Sequence, residues 1–137
     1  MVWNRGSTLI ETLVASVILT SGLVTVASIF STTTAVNFRN QQRTSATLLV
    51  YDKMEELRMT GSPSGGSLDP NSPAAGFMEY VRFGADGEMI VGTSDTQPAY
   101  LRLWQVQTST NPTITVTVFA GIGKGTPLEL ARATGPW

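Results

Sequence analysis

Glu11 is the residue whose chemistry most needs explaining. It stands at the head of an apolar run that reaches about Phe30 without another charge, and a carboxylate inside such a helix costs on the order of 2.5–3.5 kcal/mol at mid-membrane. Something has to offset that cost. Thr8-Leu9-Ile10-Glu11 fits a capping box, in which the Thr8 hydroxyl and the Glu11 carboxylate accept hydrogen bonds from orphan amides at a helix start, where the helix dipole also favours negative charge. A local cap leaves a second role for the carboxylate open.

The rest of the chain offers little reactive chemistry. Histidine and cysteine are absent, which removes the commonest zinc ligands, the usual general base near neutral pH and thiol nucleophiles. No catalytic residue, metal or cofactor is expected, and the chain does not read as an enzyme. Gly121-Ile122-Gly123-Lys124-Gly125-Thr126 has the look of a phosphate loop. A P-loop, however, needs a longer glycine spacing, Lys followed directly by Ser or Thr, and a helix afterwards, so the segment reads as a turn. Asp86, Glu88 and Asp95 offer oxygen donors suited to calcium, but their spacing is not that of an EF-hand, and acids are common in turns.

Nine basic against ten acidic residues give a formal charge of −1, so no global field points to nucleic acid. Arg82, Arg102, Lys124 and Arg132 could cluster on a sheet, yet the near-neutral balance argues against a nucleic-acid partner. Trp3, Trp104 and Trp137 are too scattered for a stacking platform to be inferred.

The elements that must position Glu11 are plain in the hydropathy. About twenty residues to Phe30 suffice to cross the ~30 Å hydrocarbon core as a helix. Within that span Ser21, Thr25, Ser28 and Thr32 recur at four, three and four residues and share one helix face. Small polar residues in this pattern let helices approach closely and hydrogen-bond in an apolar medium, although each hydroxyl can equally donate back to a carbonyl of the preceding turn. No helix breaker occurs from Ser31 to Met59, so the helix continues out of the membrane and reaches about 75–80 Å in all at ~1.5 Å per residue. Ala46, Leu49, Val50, Met54 and Leu57 form a stripe at helical spacing that should pack on a later domain, with Arg43, Thr47, Lys53 and Arg58 elsewhere around the helix. Asp52, Glu55 and Glu56 read as a solvated face.

Residues 61–76 are rich in Gly, Ser and Pro and read as an exposed loop. Strands follow. Residues 77–83 and 88–91 flank Ala85-Asp86-Gly87, a good hairpin turn. Residues 100–107 make a third strand, and residues 113–120 a fourth in which Ile114, Val116 and Val118 alternate with Thr113, Thr115 and Thr117, one face buried and one wet. Residues 128–131, opened by Pro127, add an edge strand. The fold class is therefore α+β, with a long N-terminal helix, transmembrane and then amphipathic, packed on a small antiparallel sheet.

Gly6-Ser7-Thr8-Leu9-Ile10-Glu11-Thr12-Leu13-Val14-Ala15 resembles the amino-terminal signature of type IV pilins and pseudopilins. Ile18-Leu19-Thr20-Ser21-Gly22-Leu23 and Asp52-Lys53-Met54-Glu55-Glu56-Leu57-Arg58 look like the minor, PilV-like kind. The resemblance implies a pilin-like fold, with cleavage between Gly6 and Ser7 by a prepilin peptidase and methylation of the new Ser7 terminus. It further implies that the Glu11 carboxylate neutralises the amino terminus of a neighbouring subunit in a filament. In these terms residues 1–6 are the leader, 7–30 the transmembrane and filament-core helix, 31–60 its periplasmic half, 61–76 the loop and 77–137 the β-sheet head. Partners would be other pilin or pseudopilin subunits, the prepilin peptidase, the inner membrane and a pilus assembly platform. The subunit would be a single-pass inner-membrane protein with its amino terminus cytoplasmic, then part of a periplasmic or extracellular filament. Ser7 where most pilins have phenylalanine, no proline before Pro63 and no cysteine all lean toward a minor pilin or a pseudopilin of type II secretion.

Two readings compete with this one. A secretory signal peptide would share the basic start, but its apolar region would be shorter and Glu11 unexplained. A membrane-tethered periplasmic binding domain that never polymerises would require neither Gly6 nor Glu11.

Overall fold

The computed structural model describes residues 5–92, 100–120 and 126–137, with side chains described from Thr8 within the first helix. Its contacts divide the chain into Met1–Asn40 and Gln41–Trp137. Helix α1 runs Arg5–Thr60. It is followed by strands β1 (Gly65–Gly66), β2 (Met78–Phe83), β3 (Met89–Gly92), β4 (Tyr100–Gln107), β5 (Thr113–Ala120) and β6 (Leu128–Pro136). The layout is α+β, a long helix with one antiparallel sheet.

In the first unit every described side chain is solvent-exposed, and α1 is long and apolar enough to cross a membrane. A helix exposed on all sides with Leu, Ile and Val around its circumference is of the kind that an apolar medium such as lipid suits. The chain is already helical at Arg5, and the first turn holds no acidic residue. That corrects the capping-box expectation: Thr8 lies inside the helix rather than at its N-cap, and Glu11 falls a turn later than the orphan amides.

The second unit is a packed head. Its sheet has the order β3-β2-β4-β5-β6, with β1 pairing onto β4, and every pairing is antiparallel. Both β1 and β2 pair with β4, β1 opposite Gln105 and Val106 and β2 opposite residues 100–103. Ala46, Leu49, Val50, Met54 and Leu57 are buried as the helical spacing predicts. They pack with Val81, Tyr100, Trp104, Val106, Ile114, Val116 and Val118 from the sheet. The hairpin turn also forms as expected: Gly84 N donates to Glu88 O at 2.8 Å, Gly87 N to Gly84 O at 3.0 Å, and Gly87 takes the left-handed φ of 84° that the turn needs.

Three expectations for the head are corrected. The 61–76 segment contains β1, where Gly66 has φ 100° and a Cβ added there would lie 2.2 Å from the Trp104 carbonyl oxygen, so only glycine lets this backbone approach β4. The last strand continues past Ala131 to Pro136, because β5 offers it partners as far as Thr113. And the second face of β5 is not uniformly wet. Thr117 is fully buried, on a face where Leu101, Leu103 and Phe119 form a second apolar cluster with Leu68, Met78 and Tyr80 packed against it.

Candidate functional site

The sequence-derived site residues all lie on the first unit. Gly6 and Ser7 fall in the first helical turn, with side chains outside the described residues. Glu11 is exposed and shares a shallow apolar depression with Ile10, Val14, Ala15 and Ile18. Among the described residues no basic group pairs with it. Its charge is thus presented outward from an otherwise apolar helix.

Ser21, Thr25, Ser28 and Thr32 share one exposed face, and each hydroxyl donates to its own helix: Ser21 to Ile18 O at 2.9 Å, Thr25 to Ser21 O at 2.8 Å, Ser28 to Thr25 O at 2.8 Å and Thr32 to Ser28 O at 2.9 Å. With every proton used in this way, the stripe is tolerable in lipid without a neighbour. What it offers a neighbour is small size and free acceptor lone pairs.

In the second unit the structure brings together charges that the sequence reading left on the surface. Lys53 was placed away from the buried stripe. It is instead 3% exposed, with Nζ 2.6 Å from Glu79 Oε1, 2.9 Å from Glu56 Oε1 and 4.3 Å from the centre of the Trp104 ring. Arg102, weighed and set aside as a member of a basic cluster on the sheet, is 1% exposed. Its Nε and Nη2 donate to Glu79 Oε2, and its Nη1 donates to Leu49 O at 3.1 Å and to Asp52 Oδ2 at 3.2 Å. Asp52 and Glu56 remain half exposed at the edge of this network, so the solvated-face reading holds for their outer side only.

Burial pushes the Glu79 carboxyl up, but hydrogen bonds from Lys53 and Arg102, with the charge of both, outweigh it and hold the group below the usual glutamate range. An ionised carboxylate already held by two cations is a poor base. The network therefore serves position: it ties α1 to β2 and β4 at one register, since each partner left alone would be a buried charge.

Asp86 and Glu88 are exposed in the β2–β3 turn, where Asp86 Oδ1 accepts the Glu88 amide at 3.2 Å. Among the described residues no three acidic side chains converge as metal ligands. Asp95, Trp3, Lys124 and the glycine-rich 121–125 stretch lie outside the described residues, as does the side chain of Arg5. No family model, curated protein or solved structure matches the chain.

Proposed function

We propose that this chain is a minor type IV pilin, a non-enzymatic structural or priming subunit processed by prepilin peptidase and held in the inner membrane before assembly. The observation that carries the reading is Glu11: a single carboxylate projecting from an exposed, otherwise uncharged helix span, with no cation beside it among the described residues. Its position five residues after Gly6 is the one at which the resemblance expects a carboxylate. Cleavage after Gly6 would create an ammonium at Ser7, and the Glu11 of an adjacent subunit would be its counter-charge in a low-dielectric helix bundle. The head supports the same reading, because the last turns of α1 pack into it and are held there by the Glu79 network.

The same geometry serves a type II secretion pseudopilin. A tethered, non-polymerising domain is favoured by one observation, the four hydroxyls that satisfy themselves within the helix. Two measurements on one culture separate the readings. Intact mass of the extracted protein should begin at Ser7, and the protein should appear in the sheared-filament fraction. A mass beginning at Met1 in cells with active prepilin peptidase removes the pilin reading, and absence from filaments with correct cleavage leaves the tether.

A further inference from the structure

We propose that a groove on the head receives the 36–43 stretch of α1 from a second copy of this chain. The groove, of about 290 Å³, lies between α1 residues Ser45, Leu48, Leu49 and Asp52 and the hairpin residues Phe83 and Met89. Leu48 is 66% exposed there, and Phe83 and Met89 are also open to solvent. Three large apolar side chains around one concavity form a patch of the kind that marks a contact surface, unlike singly scattered ones.

Charge says what covers it. At the hairpin end of the groove, next to Met89, Asp86 and Glu88 are exposed acids that form no ion pair among the described residues. Asp52, in the groove wall, already shares its charge with Arg102. Between Glu11 and Asp52 the chain carries Arg39 and Arg43 and no acid at all. Both arginines lack an ion pair among the described residues, and they follow the exposed Phe38 within five residues, with Val36 just before it. The 36–43 stretch therefore combines bulky apolar groups with unpaired positive charge, and the groove combines an apolar hollow with unpaired negative charge. Phe38 would enter beside Phe83 and Met89 while Arg39 and Arg43 face the turn acids. The two surfaces differ, so each copy offers one and receives the other. Used head to tail, such a contact generates rings or open helical arrays.

The inference rests on the filament reading for the neighbour it needs. Because the chain has no cysteine, F38C and M89C can be made separately in differently tagged copies of the full chain, at side chains exposed enough for the fold to persist. The two variants are co-expressed, and both membranes and sheared filaments are treated with a short bis-maleimide. A cross-linked heterodimer is expected from F38C with M89C, several-fold above that from F38C with L128C, whose cysteine replaces an exposed leucine on β6. Reversing Arg39 and Arg43 to Glu should lower the yield, and reversing Asp86 and Glu88 to Lys in the other copy should restore it. Cross-linking no better than the L128C control, or no restoration by the paired reversal, overturns the contact. If the chain enters filaments without this cross-link, the contact falls and the pilin reading stands. Cross-linking in membranes from a chain that never enters filaments does the opposite.

Discussion

Glu79 and Arg102 are direct cross-strand partners on β2 and β4, and both side chains turn toward α1, where Glu79 also takes the Lys53 ammonium at 2.6 Å. One carboxylate thereby holds two cations that are almost wholly out of solvent. Replacing Glu79 by Gln keeps the shape and removes the charge, so the full cost of two buried, under-compensated cations should appear. We expect a loss of about 3 kcal/mol, the low end for a broken buried pair, because Asp52 and Glu56 remain as partial partners. Urea unfolding of the detergent-solubilised chain, followed by tryptophan fluorescence, measures it. A loss under about 1 kcal/mol, the value of a surface pair, would mean that the network is solvent-screened.

The same carboxylate sets an acid limit on stability. Its folded pKa lies below the unfolded value, so the stability it contributes is fully present above the ordinary glutamate range, about pH 4.3, and is lost as pH falls through the lower folded value. Wild-type stability should thus decline in acid more steeply than that of Glu79→Gln, and the two curves should converge once pH has fallen below the folded value. Parallel curves would assign the acid sensitivity to other carboxylates.

Much of this head is legible in the residues. The stripe from Ala46 to Leu57 and the strands over 100–107 and 113–120 follow from period alone, since apolar side chains at 3.6 or 2 residue spacing have one way to leave water. The charged trio is harder. Lys53 lies four residues from Leu49 and Leu57 and three from Val50, in the middle of the buried stripe, and Glu79 and Arg102 alternate in phase with Val81 and Trp104. Read by period they belong inside, and read by type they belong outside. Two cations and one acid at core-phase positions on three elements are the signal that they pair with one another, and only the long-range register of β2 on β4 shows that they meet. Thr117 escaped for a related reason: its cover comes from a separate cluster that includes Leu68, in a segment whose glycines and prolines read as an exposed loop.

That cover leaves the Thr117 hydroxyl buried with no hydrogen-bond partner among the described residues. Removing an unsatisfied polar group while keeping the branched shape should help, so Thr117→Val is expected to raise stability by about 1 kcal/mol. The same unfolding assay reads it, and a destabilised variant would show that the hydroxyl has a partner.

Gly66 and Gly76 both have positive φ, but only Gly66 is crowded, with the Trp104 carbonyl oxygen 2.2 Å from an added Cβ. Gly76→Ala should cost about 1–2 kcal/mol, the price of a left-handed backbone in an L residue. Gly66→Ala has to move main chain as well and should lose at least twice as much, with faster hydrogen exchange at the Val106 and Gln105 pairing of β1. Equal losses would mean that β1 contributes nothing to the head.

Glu11 is where the reading of this chain as an assembly subunit stands or falls. The capping alternative is weakened by the helix itself, which is already formed at Arg5, so the carboxylate is not needed at the first-turn amides. Glutamine would in any case retain most of a cap's hydrogen bonding. If the carboxylate instead neutralises the Ser7 ammonium of an adjacent subunit, Glu11→Gln leaves that ammonium unpaired in an apolar bundle, where a lone charge is far more costly than in water. The contact would recur at each subunit, so the variant should insert in the membrane and be cleaved after Gly6 yet be lost from filaments. The measurement is the ratio of Glu11→Gln protein in sheared filaments to that in membranes, with the wild type and Glu11→Asp alongside. Glu11→Asp keeps the charge on a shorter arm and should recover part of the incorporation. Wild-type incorporation of the Gln variant would remove the counter-charge from the mechanism and leave Glu11 a polar residue tolerated near the end of the span.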